Sequence, residues 1–317
     1  MDLKQASELL AVIKQNINKV IVGREETVEL LLTSLCCGGH VLLEDVPGTG
    51  KTMLAKSLAR SLDGEFHRIQ FTPDLLPSDV TGLNYYNQKA GEFVFRPGPV
   101  FGNILLADEI NRATPRTQSA LLECMEERQV TLDGVTRPLP APFLVVATQN
   151  PIETVGTFPL PEAQLDRFFM MLSMGLPDRA EEIAIMERFL RDDPLAELGP
   201  VCSGETLLEL QILRKTVYVH PVILGYMADL IQATRKEGNA VSGVSPRGSL
   251  ALLNAVRAWA MLQGRGYVTP EDVKRLAVPV LAHRIVMEYG SLDRRGGEQL
   301  LNKLLDRIPV PTERFEN

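Results

Sequence analysis

The segment VLLEDVPGTGKTMLAK (residues 41–56) constrains this chain more than any other stretch. An apolar run, a glycine-containing turn and then Gly50-Lys51-Thr52 opening a helical pattern read as the strand, loop and helix of a phosphate-binding site. Such a loop works because backbone N–H groups between strand and helix point at phosphate oxygens, helped by the helix N-terminus. Gly48 and Gly50 let the backbone wrap closely, Lys51 reaches the outer phosphates, and the Thr52 hydroxyl holds Mg²⁺. The general pattern, G-x-x-x-x-G-K-[ST], has glycine where this chain has Asp45. Aspartate tolerates unusual backbone angles, and its carboxylate must point away from phosphates that it would repel. The residues expected to cradle a nucleotide here are Asp45, Val46, Pro47, Gly48, Thr49, Gly50, Lys51, Thr52 and Met53.

Hydrolysis needs a second acidic element, and NILLADE (103–109) supplies one. Asp108 at the tip of a buried strand can hold Mg²⁺ through water, and Glu109 can polarise an attacking water. FLVVATQ (143–149) ends just before Asn150, whose amide could bond that water or the terminal phosphate. Asparagine before Pro151 is also a common turn starter.

HVLLE (40–44), EFHRIQF (65–71) and FFMMLSM (168–174) are further short apolar runs, so five strands alternate with helical segments. That order predicts an α/β core, a parallel five-stranded sheet covered on both faces, with ligands at the carboxyl ends of the strands. Residues 4–20 and ETVELLLTSLCC precede it as two amphipathic helices. Two inserts read as hairpins: one within 73–101, with its strands around GEFVFRPGPVF (91–101), and one over 128–142 turning at Asp133-Gly134. Beyond about residue 176 every segment reads as helix: 178–191, 205–217, 221–237, 246–263, 270–287 and 297–307. This divides the chain into an α/β core, 1–176, and a smaller all-α domain, 177–317. Ser245-Pro246-Arg247 reads as an N-cap with proline at the first helical position, which fixes a guanidinium able to fork onto phosphate.

The formal net charge of −7 argues against a protein that coats nucleic acid. Four cysteines without a C-x-x-C pair read as reduced thiols in a cytosolic protein. The four histidines have no metal-ligand spacing, nothing resembles a signal peptide, and no apolar run approaches the ~18 residues of a membrane helix.

Taken in order, LLEDVPGTGKT, LLADEINRA, VVATQNP, LPEAQLDRFF and VSPRGSLALL resemble a MoxR-type AAA+ ATPase over essentially the whole chain. The resemblance implies ATP/ADP and Mg²⁺ as cofactors. It implies Lys51 and Thr52 as Walker A, Asp108 and Glu109 as Walker B, and Asn150 as sensor 1. It further implies Arg167 as an arginine finger, Arg247 as sensor 2, and Val22-Gly23 as the adenine-side contact. From the residues alone, Arg167 could equally pair with Asp166 or Glu162, and Arg112 and Arg116 could also face a neighbour. The family also implies a hexameric ring acting on client proteins in assembly, maturation or metal insertion, with partners carrying a von Willebrand A domain. Three other readings stay open: a magnesium-chelatase-like motor subunit, an ATP-gated scaffold, and a DNA-acting helicase-like motor. The last would use Lys89, Arg96, Arg128 and Arg137 on the hairpins.

Overall fold

The computed structural model describes residues 1–151, 156–190, 193–237, 240–287 and 294–311. It opens with α1 (Leu3–Asn18), started by an Asp2–Gln5 capping box that satisfies two otherwise orphaned N–H groups. Ala6, Leu10, Ile13 and Ile17 form its buried stripe. The second helix, α2 (Glu25–Cys36), stops where Gly38 takes φ 64° and the Gly39 N–H returns to Ser34 O at 2.8 Å.

The sheet contains β1 (Val41–Glu44), β2 (Phe66–Gln70), β5 (Ile104–Asp108), β8 (Leu144–Gln149) and β9 (Met170–Leu172). Between these lie α3 (Lys51–Ser61), α4 (Pro77–Thr81), the hairpin strands β3 (Gly82–Asn87) and β4 (Glu92–Pro97), and α5 (Pro115–Glu127). A second hairpin, β6 (Gln129–Leu132) with β7 (Val135–Pro138), and the single turn α6 (Glu162–Leu165) complete the core. The strand order is β2-β5-β8-β1-β9, and every neighbouring pair is parallel. Side chains along each strand divide between two apolar layers, as the period of two demands. Val41, Leu43, Ile104, Leu106, Leu144 and Val146 face α1–α3, whereas Leu42, Leu105, Ala107, Val145 and Ala147 face α5 and the hairpins.

Beyond β9 come α7 (Arg179–Arg188), α8 (Gly204–Leu213), α9 (Pro221–Lys236), α10 (Pro246–Leu262), α11 (Pro270–Leu281) and α12 (Arg294–Arg307). The region is not wholly helical. β10 (Ala240–Ser242) pairs antiparallel with β11 (Val286–Met287), so the helix expected over 270–287 ends at Leu281 and a 3₁₀ turn carries the chain to Arg284. The helix expected over 178–191 ends at Arg188, with Phe189 as its C-cap, and position 191 lies outside the described residues. The apolar layer on α1–α3 runs without a break into α8–α12 through Leu207, Leu210, Leu252, Val256 and Leu276.

The inserts also differ in detail from the sequence reading. The first hairpin spans 82–97 rather than centring on 91–101, because Gly82-Leu83-Asn84-Tyr85-Tyr86-Asn87 is its leading strand. Residues Pro99–Phe101 form a 3₁₀ turn. The second hairpin turns at Asp133 (φ 51°) and Gly134 (φ 77°), the pair of positive angles a type I′ turn requires. The hairpins dock on each other: Asn84 Nδ2 donates to Asp133 Oδ2 at 2.6 Å, and the Arg137 guanidinium lies 4.1 Å from the Phe95 ring centre.

His40, just ahead of β1, clamps the end of α5 to the sheet. Its Nδ1 accepts from the Val145 N–H at 2.9 Å, so the proton is on Nε2, which donates to Met125 O at 3.0 Å. Burial, and then the positive charge of Arg128, hold its pKa well below the ordinary histidine value; the bond to Met125 O opposes this. The sign follows: below about pH 6.5 the unfolded chain takes up a proton that the native state refuses, so this stability is present above that pH and lost as pH falls. Urea unfolding at pH 7.5 and 5.5 is expected to show a loss approaching ~1.4 kcal/mol per pH unit from this group, absent in His40→Gln.

Candidate active site

The loop between β1 and α3 turns through Gly48 (φ 87°) and Gly50 (φ 92°). A Cβ on Gly48 would meet nothing within 4 Å, so the requirement there is the backbone angle and not space. Gly50 is the N-cap of α3, and the N–H groups of the helix's first turn have no partner inside the helix. Lys51 and Thr52 are the first two residues of that helix. Lys51 Nζ donates to Asp45 O at 2.9 Å and to Val46 O at 3.4 Å, folding the ammonium back over the loop. Partial burial lowers its pKa, and Asp45, Asp108 and Glu109 oppose that, so the ammonium shares a field with both acids of the β5 tip.

Asp45 is buried at 6% exposure, and its carboxylate is turned to the β9 side of the sheet. Oδ1 accepts from Ser173 Oγ (2.7 Å) and Gly175 N (3.1 Å), and Oδ2 accepts from Met174 N (2.6 Å). The residue therefore tacks the start of the loop to the chain leaving β9. The same strand exit meets the 22–24 turn. Arg24 donates to Gly175 O (3.3 Å) and to Glu181 on α7 (3.0 Å), and the Glu181 side chain lies where a Cβ on Gly23 would go. The 22–24 turn, the chain leaving β9 and the start of α7 are thus held together next to the loop that Asp45 begins.

At the tip of β5, Asp108 Oδ1 accepts from Thr148 Oγ1 (2.6 Å) and Oδ2 from Arg68 (2.7 Å). Glu109 is a non-glycine residue at φ 56°, ψ 51°, and its N–H is taken by Thr148 Oγ1 at 2.9 Å. Its Oε2 accepts from Gln70 Nε2 (2.6 Å) and pairs with the Arg112 guanidinium, whose Nε lies 3.2 Å away, so Arg112 is engaged within its own subunit. Arg116 is exposed. Asn150 follows β8 directly and is half-buried.

The two other arginines form a second group. Arg167 pairs with neither Asp166 nor Glu162; its Nε lies 2.9 Å from Glu126 Oε2. Arg247, on the first turn of α10, reaches the other oxygen of the same carboxylate. Ser245 caps α10, accepting from Gly248 N at 3.3 Å, and donates to Asp166 Oδ2 at 3.2 Å. Asp166 is in turn held by Arg284 Nε at 2.8 Å. Arg284 is buried and also donates to Val280 O (2.6 Å) and Phe168 O (2.7 Å). Burial pushes its pKa down to about 10, opposed by Asp166 and reinforced by the charge of Arg247.

The sequence reading missed Thr148, Gln70, Glu126 and Arg284. Thr148 had a signal, since it stands at the end of a buried strand beside Asn150. Gln70 is likewise the last residue of β2. Glu126 and Arg284 had none beyond being charged. Among the described residues no group of three or more His, Cys, Asp or Glu side chains could hold a metal, and no helix is long and apolar enough to cross a membrane.

Comparison with known proteins agrees with this fold. The family model described as ATPase family associated with various cellular activities (AAA) matches residues 40–170, and that of the AAA lid domain matches 232–304. YeaC of Bacillus subtilis (strain 168) is 48% identical over 307 residues, covering 96% of each chain. Chaperone MoxR1 of Mycobacterium tuberculosis is 44% identical over 305 residues, covering 93% of this chain and 80% of the relative. Protein MoxR of Paracoccus denitrificans is 36% identical over 328 residues, covering 93% of this chain and 94% of the relative. The crystal structure of a candidate ATPase from Cytophaga hutchinsonii superposes with a TM-score of 0.89 at 39% identity, covering 97% of this chain and 96% of the other.

The three bonds to Asp45 give its carboxylate a role that the sequence did not. Asp45→Asn replaces an acceptor with an amide N–H facing backbone N–H donors. Denaturant titration is expected to show about 1–3 kcal/mol of lost stability. Equilibrium titration is expected to show weaker MgATP binding in the same variant, because the loop loses its tack.

Proposed function

Since the chain belongs to the MoxR family of AAA+ ATPases, we propose that it binds MgATP, hydrolyses it within a homo-oligomeric ring, and uses the cycle to remodel client proteins as a chaperone. One observation carries the reading. Lys51, Asp108 and Glu109 share one electrostatic site, whereas Arg167 and Arg247 gather on Glu126. Among the described residues, neither arginine bonds to the loop, to Asp108 or to Glu109. A site divided in this way is completed when a second subunit lends its arginines.

The chain's own groups then have distinct tasks. The N–H groups of 48–53 and the N-terminus of α3 bind the phosphates, and Lys51 swings from its carbonyl partners to the outer ones. Val22 and Gly23 border the base. Thr52 and Asp108 offer two oxygen ligands, a donor set that suits Mg²⁺, which keeps several waters and takes its other ligands from phosphate. When bound, the ion neutralises charge on the phosphate oxygens. Glu109 takes the proton of the attacking water, held in place by Gln70 and Arg112, and Asn150 orients that water. Arg167 of one subunit stabilises the γ-phosphate of the next, and Arg247 reports phosphate occupancy to α10.

The turn to helical segments near residue 176 supports a division of the chain there and the unpaired cysteines a cytoplasmic location, while the family resemblance supports six subunits and clients met through von Willebrand A partners in assembly or metal insertion. A DNA-acting motor loses ground on geometry. Of its four candidate basic residues, Arg128 donates to the carbonyls of Gly38 and Phe143, and Arg137 is stacked on Phe95.

Glu109→Gln is expected to bind ATP normally and to lose turnover by ~10²–10⁴-fold, measured by phosphate release. Arg167→Ala should also bind ATP and lose turnover, by as much as ~10³–10⁵-fold. Rings assembled from a mixture of the two inactive variants are expected to recover activity, since one supplies the arginine and the other the intact acid. Near-normal turnover by Arg167→Ala alone would remove the shared-site mechanism.

A further inference from the structure

Two guanidinium groups from distant parts of the chain meet on one carboxylate. Arg167 Nε uses Glu126 Oε2 at 2.9 Å, and Arg247 uses Oε1. The closest approach to Arg167 is at Nε, on the side of the guanidinium, so the two terminal nitrogens at its tip are not the nearest contacts of the carboxylate. The fork of those two nitrogens is the edge that makes paired bonds to a phosphate. Held by Nε, an arginine can keep its orienting partner while it presents the fork outward.

The carboxylate itself stands on a rigid platform. Glu126 is the next-to-last residue of α5. Its neighbour Met125 is fixed through its carbonyl by buried His40. Two residues further on, Arg128 ends the helix at φ 56° and bolts it to Gly38 O ahead of β1 and to Phe143 O ahead of β8, two neighbouring strands. The arginines are seated as firmly. Arg284 grips Asp166 and the Phe168 carbonyl beside Arg167, and the Ser245–Asp166 bond sets the N-terminus of α10 below Arg247. Three positive groups therefore crowd one seam. Without Glu126, Arg167 and Arg247 would repel each other, and Arg247 also feels the charge of Arg284.

We propose that Glu126 is the positioning residue of the shared site: its carboxylate pairs Arg167 with Arg247 and aims the Arg167 fork at the γ-phosphate held by the neighbouring subunit. This rests on the reading of Arg167 as the group lent between subunits. Glu126 touches no nucleotide in this scheme. It replaces the entropy cost of ordering two long side chains at the moment of reaction with an arrangement already formed.

The test is a set of turnover and binding measurements on full-length rings carrying Glu126→Ala, Glu126→Gln, Arg167→Ala, Arg167→Lys and the Glu126→Ala/Arg167→Lys pair. Glu126→Ala is expected to lower kcat by about 100-fold while leaving ATP affinity within twofold, because misaimed chemistry and not nucleotide binding is affected. Glu126→Gln, which has the same shape and keeps one oxygen acceptor, is expected to fall between wild type and Glu126→Ala and to assemble normally. Lysine has no Nε edge, so in the Arg167→Lys background Glu126→Ala is expected to add little further loss. A Glu126→Ala or Glu126→Gln ring that turns over at the wild-type rate overturns the proposal. So does an equal loss with and without the Arg167 substitution, which would mark Glu126 as merely structural. If Arg167→Ala itself stays active, it is the shared-site reading that fails.

Discussion

The carboxylate of Asp45 is the fixed point on which the rest of the site depends. A phosphate loop is a stretch of backbone with few side-chain contacts of its own, and it holds its shape only if both ends are anchored. The α3 end is anchored by the helix. The β1 end is anchored by three hydrogen bonds from Ser173, Met174 and Gly175 to a buried aspartate. Glycine at this position would leave those donors unmet. The departure from the general loop pattern is therefore an exchange: the freedom of a glycine is given up for a cross-strand bond between β1 and the segment leaving β9. That bond also sets the loop against the segment that leads into α7 and the helices beyond. Any shift of the loop on taking up a triphosphate is felt there first.

Much of this was legible in the sequence because it depended on local order. The strand–loop–helix around Lys51, the acids ending a buried run at 108–109, and the type I′ turn at Asp133-Gly134 each have a cause within a few residues. Ser245 as the cap of α10, with Pro246 behind it, is another. What was not legible depended on register and on meetings across long separations. Ala107 pairs with Ala147 between parallel strands, so the next residues, Asp108 and Thr148, stand side by side on the same face. Knowing the strand order would have found Thr148; composition could not. Glu126 meets Arg247 across 121 positions. Val286-Met287 was read as the tail of a helix because a two-residue strand carries no periodicity; only its pairing with Ala240–Ser242 defines it.

The charged groups divide by purpose. One set is structural and buried or half-buried: His40, Arg128 and Arg284 spend donors mainly on backbone carbonyls, at a desolvation cost visible in their lowered pKa values. The other set is half-exposed and lies at strand or helix ends: Lys51, Asp108, Glu109, Arg167 and Arg247. The two sets adjoin along the seam of Arg167 and Arg247. Arg284 grips the backbone beside Arg167, and Arg128 ends the helix that carries Glu126.

The apolar layer that runs from α1–α3 into α8–α12 has a mechanical consequence. Swinging the C-terminal helices away as a door would strip water-shy surface from both sides at once, at ~25 cal/mol for every Å² laid bare. Small lateral slips cost far less, because greasy side chains can trade neighbours without being wetted, whereas the ionic contacts at the rim switch partners in discrete steps. Any movement of these helices against the core is thus expected to come as short sliding strokes, with the interior acting as the bearing and the rim of charges as the ratchet.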